Sequence, residues 1–138
     1  MTERSVRIAS AVLASLGAAI SAYILYVRET EGSLVCSTGG CETVQSSDYA
    51  EIVGIPVAVL GLAGYVGIFA TALFPSEVAR VTGAGLALGG LAFSVYLIFV
   101  QVFAIGAFCQ WCLASDVVMA LLAAAALARL RARQPAPG

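Results

Sequence analysis

Long apolar stretches without a charged residue alternate with short polar segments along the chain. The first stretch covers residues 8–27, the second covers 52–76 and the third covers 81–115. A membrane-spanning helix needs about 20 apolar residues, so the third stretch is long enough for two helices, and we divide it near Gly106. The pattern therefore predicts four membrane-spanning helices, at about residues 8–27, 54–74, 80–104 and 109–130.

The polar segments complete the predicted architecture. Proline is well tolerated in a first helical turn, so Gly54-Ile55-Pro56 predicts the start of helix two. In the loop at residues 28–53, the apolar residues between Glu42 and Val53 predict a short helix lying on the membrane surface. The segment at residues 131–138 predicts a disordered tail. We therefore expect an all-α membrane protein with a single domain over residues 1–138. It is a four-transmembrane-helix bundle with an outer loop and a short amphipathic surface helix between helices one and two.

Composition supports a membrane protein and excludes other classes. The chain of 138 residues is 61% hydrophobic and 11% charged, whereas a soluble domain has about 25% charged residues. This composition predicts that membrane lipid surrounds the protein. Nucleic-acid binding is not expected, because the chain has no basic tract. The first stretch is longer than a usual signal-peptide core and other spans follow it, so we interpret it as a retained helix. Glycines recur in helices two and three, where small residues allow close helix packing.

The arginines predict the orientation of the bundle. All seven basic residues are arginines, and four spans place six of them on one side of the membrane and only Arg28 on the other. Because positive charge favours the cytoplasmic side, we expect both termini in the cytoplasm and the loop at 28–53 outside. All four cysteines then lie at the outer face, where disulfides persist. The six arginines on the inner side are Arg4, Arg7, Arg80, Arg129, Arg131 and Arg133.

The four cysteines form two pairs. Cys109 and Cys112 begin helix four, and Cys36 and Cys41 lie in the outer loop, with two glycines between them that allow a tight turn. A thiol near a helix N-terminus is favoured as the thiolate. Two dithiols without any histidine suggest electron transfer between the pairs by thiol–disulfide exchange. The other interpretations are a zinc site, for which this spacing is a poor fit, so that no metal is expected, and static disulfides that hold the outer loops together.

Two residues beside the second pair are candidates for a ligand site. Asp116 follows Cys109 and Cys112 at helical spacing, so the three are predicted to share one face, with Asp116 about 10 Å below Cys109. A carboxyl at that depth must face protein or water, either as a proton relay or ligand contact or as a buried group bonded to a neighbouring helix. Trp111 lies on another face and is interpreted as an interfacial anchor, with capping of a ligand pocket as the alternative.

Four features together resemble the vitamin K epoxide reductase family, in its bacterial branch. They are the outer-loop cysteine pair, Ser46-Ser47 shortly after that pair, Gly54-Ile55-Pro56 at helix two and Cys-x-x-Cys at helix four. Their order matters, because the unrelated quinone-linked disulfide-forming membrane proteins carry Cys-x-x-Cys in the first outer loop. From the residues alone, the two serines either face the mouth of the bundle or make turn or capping contacts, which is the usual role of a serine pair. The resemblance covers nearly the whole chain.

The resemblance implies an electron path. Cys36 would meet a thioredoxin-like protein of the periplasm or extracytoplasmic space, and Cys41 would attack a Cys109–Cys112 disulfide. Cys112 would face a quinone, with Cys109 as its exchange partner. The chain is too short to hold a fused thioredoxin-like domain, so the partner is expected to be a separate protein.

The resemblance also implies a cofactor and a location. Ser47 matches the family serine that bonds a quinone carbonyl. Asp116 and Trp111, which were singled out from the residues themselves, are the further candidates for contact with the quinone. The quinone would be of the ubiquinone, menaquinone or vitamin K type, in a bacterial inner membrane. The resulting hypothesis is a thiol–quinone oxidoreductase that supports disulfide formation by reoxidising its partner. The alternative is a non-enzymatic four-helix membrane protein with structural disulfides.

Overall fold

The structure, a computed structural model, describes residues 3–30, 51–52, 54–106 and 109–132, with the backbone alone for Glu51, Ile52 and Ala132. It contains the four predicted helices: α1 (Glu3–Glu29), α2 (Val57–Leu73), α3 (Glu77–Phe99) and α4 (Gln110–Ala132). A short antiparallel pair, β1 (Glu51–Ile52) and β2 (Ile55–Pro56), precedes α2. A π-helical segment, Val100–Ile105, continues α3. The all-α bundle predicted from the sequence is confirmed.

The helices form an antiparallel ring in the order α1, α2, α3, α4, and each packs against the next. Three helical stretches, Glu3–Glu29, Glu77–Ile105 and Gln110–Arg131, are long and apolar enough to cross a membrane. The apolar helix α2 has 17 residues, which is about the shortest length that spans a hydrocarbon core. Large apolar side chains cover the outside of the ring, while Arg80, Gln101 and Asp116 are buried. This arrangement suits a protein surrounded by lipid.

Helix α2 begins three residues later than predicted, because its expected first turn is extended. Gly54 has a φ of 79°, a left-handed conformation that glycine adopts readily. Pro56 has a φ of −58° and a ψ of 137°, and the residue before a proline also favours an extended backbone. Glu51 and Ile52 form a strand, so the predicted surface helix does not reach Val53, and residues 42–50 lie outside the described residues.

The other helix ends differ from the predictions by a few residues. Helix α1 begins at Glu3 rather than at residue 8, and an acidic residue in the first turn is favoured by the helix dipole. It ends at Glu29, so the first residues of the predicted loop are helical. Arg131 and Ala132 belong to α4, so the prediction of disorder from residue 131 is wrong for these two. Residues 133–138 lie outside the described part of the chain.

One end of the bundle, which we call the arginine end, is built from Glu3, Arg7, Arg80, Arg129 and the last carbonyls of α2. Arg7 donates to the Ala72 and Leu73 carbonyls at 2.9 and 2.7 Å. Arg129 donates to the Thr71 carbonyl at 3.0 Å and also to that of Phe74. The last four carbonyls of a helix lack helical partners, and here two arginines from α1 and α4 supply the donors.

A carboxylate lies among these arginines. Glu3 is 3.8 Å from Arg80 and 3.6 Å from Arg129, and both arginines are almost fully buried. Arg80 also pairs with Glu77 one turn along α3. The arginine end therefore brings together the N-termini of α1 and α3 and the C-termini of α2 and α4, as an alternation of four spans requires.

Candidate functional site at the cysteine end

The opposite end of the bundle, which we call the cysteine end, carries the Cys-x-x-Cys pair. Helix α4 begins at Gln110, so Cys109 occupies the N-cap position and its carbonyl accepts the Leu113 N–H at 3.0 Å. Its Sγ accepts the backbone N–H of Cys112 at 3.3 Å. An N-cap side chain commonly satisfies the N–H group three residues on, and here sulfur takes that role. The helix N-terminus therefore presents both a dipole and an N–H donor to the Cys109 sulfur.

The turn that leads into Cys109 is held by Gln101. The π-helical segment ends where the Gly106 N–H bonds to the Gln101 carbonyl at 2.9 Å, and Gly106 has a φ of 73°. The Gln101 side chain then crosses the turn, and its Oε1 accepts the Cys109 N–H at 2.9 Å. The predicted division of the third apolar stretch near Gly106 is confirmed.

A cavity of about 160 Å³ opens beside Cys112. Its walls are mainly apolar and include Leu60, Leu86 and Phe93 from helices α2 and α3. Gly90 also lines it, and a Cβ at that position would lie 2.7 Å from the Met119 side chain. The glycine therefore allows α3 and α4 to approach closely just below the cavity.

Helix α4 contributes the polar wall of the cavity through Cys112, Ser115 and Asp116. Asp116 is 93% buried, with 7% of its surface exposed, and it accepts a hydrogen bond from the Ser94 hydroxyl of α3. Its other oxygen, Oδ2, has no hydrogen-bond partner among the residues that the structure describes. An unpartnered buried carboxyl oxygen is costly, so the wall of the cavity holds a polar side chain that the bundle leaves partly unsatisfied.

Tyr65 forms the floor of the cavity. Its ring is buried against Gly17 of α1, where a Cβ would lie 2.2 Å from the ring. Its hydroxyl donates to the Ser115 carbonyl at 2.7 Å and is the same distance from the Ser115 hydroxyl. This contact fixes α2 against α4 directly beside Asp116.

Of the four predicted site residues that the structure describes, two line the cavity and two do not. Cys112 and Asp116 face the cavity together, whereas Cys109 is fully buried at the turn. Trp111 packs edge-on against Tyr23 of α1, with ring centroids 4.9 Å apart, and is not among the described residues that line the cavity.

Three other predicted site residues cannot be placed. Cys36, Cys41 and Ser47 lie outside the described residues.

A comparison with known protein families decides the relationship. The model of the vitamin K epoxide reductase family matches residues 8–127, which is most of the chain. The chain belongs to the vitamin K epoxide reductase family. Membership implies a membrane oxidoreductase with a helical-bundle fold, and members of this family are generally associated with quinones.

The cavity of this family member fits the ring of a quinone. An apolar cavity of about 150 Å³ accommodates a benzene ring, and the cavity beside Cys112 has about 160 Å³. Its apolar walls suit a hydrocarbon ring, and Asp116 adds a polar side chain to the lining. A site with few, well-placed polar groups is typical of small-molecule recognition.

Sequence reasoning missed Gln101, Tyr65, Ser94 and Ser115 as parts of the site. Gln101 did leave a signal, since it is the only amide or charged side chain between Ser94 and Cys109. A polar residue in a membrane span is expensive unless it faces the bundle interior. Tyr65 and the two serines left none, because hydroxyl-bearing residues are common in such helices and are usually structural.

Proposed function

We propose that this protein is a membrane thiol–quinone oxidoreductase that reoxidises a thioredoxin-like partner outside the cytoplasm. The observation that carries the proposal is that Cys112 takes part in two features of the structure. It belongs to the Cys-x-x-Cys pair at the start of α4, and it also lies on the wall of a cavity with room for a ring. A redox-active thiol beside an apolar pocket is what electron transfer to a membrane-soluble acceptor requires.

The pair supplies electrons through simple chemistry. When the Cys109 and Cys112 thiols become a disulfide, they release two electrons and two protons. A quinone, when bound, accepts two electrons and two protons. The N–H of Cys112 stabilises negative charge on the Cys109 sulfur, since it already bonds that atom at 3.3 Å.

Asp116 is assigned the polar contact to the acceptor. Ser94 orients its carboxyl, and Asp116 lies in the wall of the cavity that also holds Cys112. A group aimed at the site where negative charge develops lowers the barrier most when it is held rigidly. In this proposal the protonated Asp116 carboxyl either delivers its proton to a ring oxygen or donates a hydrogen bond to it, and Ser47 contacts another carbonyl.

The path from the partner to this pair rests on the sequence and the family. Cys36 exchanges with the thioredoxin-like protein, and Cys41 attacks the Cys109–Cys112 disulfide. Each exchange breaks one disulfide and forms another, so no further oxidant is needed until the quinone. The arginine end lies in the cytoplasm and the cysteine end lies outside.

Quinone reduction by the purified protein tests the proposal. A reduced thioredoxin-like donor and a soluble quinone analogue are supplied, and wild type is compared with Cys112→Ala. We expect the variant to lose essentially all donor-dependent reduction. Equal rates, or reduction that does not depend on quinone concentration, would favour the alternative of a structural protein with static disulfides.

Partner trapping tests the order of the relay. The partner keeps a single active-site cysteine, which is first joined to an aromatic thiol in a disulfide. In a Cys41→Ser variant, the Cys36 thiol is expected to attack that disulfide, release the aromatic thiol and stay bonded to the partner, because neither a second loop thiol nor a second partner thiol resolves the mixed disulfide. A Cys36→Ser variant should not trap the partner. If the two variants behave alike, the assigned order of the loop cysteines is wrong.

A further inference from the structure

The proposed electron path leaves one buried amide beside the dithiol without a role. Gln101 is 2% exposed and also lines the cavity. It lies in the π-helical segment Val100–Ile105, whose closing bond joins the Gly106 N–H to the Gln101 carbonyl five residues back. Segments of this kind are rare and are frequently found at functional sites.

Gln101 contacts the redox pair through the backbone of Cys109. Its Oε1 accepts the Cys109 N–H at 2.9 Å, in a buried bond that spans eight residues. The N–H groups at the start of a helix have no helical acceptor, so the side-chain amide satisfies a donor that the turn leaves open. A buried N–H without a partner is costly, and Cys109 is therefore held tightly in its N-cap position.

We propose that Gln101 is a positioning residue that sets the redox equilibrium of the Cys109–Cys112 pair. It fixes the backbone of Cys109 so that the Cys109 sulfur accepts the Cys112 N–H at 3.3 Å. The inference rests on the proposed function, because it concerns the same dithiol.

The geometry favours the reduced pair. A thiol or thiolate sulfur carries more negative charge than a disulfide sulfur, so it is the better acceptor for the Cys112 N–H. Hydrogen bonds to a charged acceptor are the stronger ones. A residue that maintains this contact therefore stabilises the dithiol relative to the disulfide, which makes the pair a stronger oxidant, as a stabilised reduced form does in general.

A glutathione titration tests this inference without any quinone. The full-length protein carries Cys36→Ser and Cys41→Ser, so that Cys109 and Cys112 form the only pair that titrates. The pair exchanges with oxidised glutathione to give one protein disulfide and two reduced glutathione molecules. Mass tagging of the thiols after denaturation measures the oxidised fraction at each glutathione ratio.

Gln101→Met removes the acceptor and keeps the side-chain length. We expect the equilibrium constant to shift about 3- to 10-fold toward the disulfide, and a tenfold shift corresponds to about 30 mV. Val102→Met introduces the same side chain at a neighbouring exposed position, and should stay within about twofold of the parent. A merely structural role would lower the melting temperature of Gln101→Met and leave its equilibrium constant unchanged.

The outcomes separate the two proposals. If Gln101→Met folds and its constant stays within twofold of the parent, the role of Gln101 is wrong. If it does not fold, Gln101→Asn is judged by the same criterion, since its amide is one methylene too short to reach Cys109. Failure of the wild-type protein to reduce quinone would overturn the proposed function and leave the glutathione result for Gln101 intact.

Discussion

The two ends of the bundle surround their buried charged groups differently. At the arginine end, Arg7 and Arg129 donate hydrogen bonds to four consecutive carbonyls at the C-terminus of α2 and its C-cap residue. Glu3 lies near two buried arginines. At the cysteine end, an oxygen of Asp116 lies beside a cavity without a partner among the described residues. At the first end the buried charges lie beside opposite charges, although some of their atoms make no hydrogen bond, whereas no ion pair holds Asp116 among the described residues.

The difference indicates that the arginine end mainly stabilises the fold, whereas the cysteine end carries the proposed chemistry. Arginines from the neighbouring helices satisfy the C-terminal carbonyls of the short helix α2 within the bundle. The site near Cys112 instead retains a cavity and a buried carboxyl, both of which reduce stability. Substitutions at the two ends should therefore separate stability from activity.

The largest effect is expected for Arg129→Met at the arginine end. The change removes donors from the Thr71 and Phe74 carbonyls and takes a positive charge away from Glu3. Breaking a buried pair by removing one partner costs about 3–5 kcal/mol, and unfolding in mixed detergent micelles measures it. Arg131→Met, at an exposed position on the same helix, is the matched control. Similar losses for both variants would mean that the buried contacts contribute little.

Asp116→Leu should produce the reverse pattern at the cysteine end. We expect quinone reduction to fall about 100-fold, as is typical for loss of a positioned acid–base group, while stability is unchanged or slightly increased. The assay with a thioredoxin-like donor and a melting curve measure the two quantities. Val117→Leu changes the adjacent exposed residue and should alter neither. A loss of stability as large as that of Arg129→Met would contradict the division between the two ends.

Gly17→Ala tests the layer between the ends. The new methyl group would meet the Tyr65 ring at 2.2 Å, so the ring or α1 must move. Such overpacking costs about 1–3 kcal/mol, and the shift at the cavity floor should also weaken binding of a quinone analogue, measured by fluorescence quenching. Gly85→Ala, where no atom lies within 4 Å, is expected to be neutral. Equal stability of the two variants would show that Tyr65 adapts freely.

The smallest effect is expected for Glu77→Gln. Glu77 pairs with Arg80, but its side chain is 70% exposed, and exposed ion pairs contribute about 0–1 kcal/mol. Glu3→Gln, whose side chain is 22% exposed, should cost more because it leaves two buried arginines with less counter charge. Unfolding free energies of the two variants, compared at two salt concentrations, measure the difference. A larger loss of stability for Glu77→Gln would show that Glu77, and not the partly buried Glu3, is the carboxylate that stabilises the arginine end.

Several features of the site were accessible from the sequence, and others were not. The spacing alone predicts that Cys109, Cys112 and Asp116 share one face of the helix; Cys112 and Asp116 line the cavity, whereas Cys109 is not among its lining residues. Trp111 was considered for the same pocket but packs on Tyr23. Helical spacing shows which residues lie on the same face of one helix. It does not show which residues of a neighbouring helix pack against that face.

The sequence by itself determined the number of helices, the break at Gly106 and the position of the Cys-x-x-Cys pair. These follow from local rules: lipid requires long apolar helices, and a positive φ at a glycine ends one. Only the tertiary structure decided that Arg7 bonds a carbonyl 66 positions away and that Gln101 reaches Cys109 across a π-helical turn. Such pairings depend on which helices become neighbours and on their rotation, and both are set by the packing of the whole bundle rather than by any local pattern.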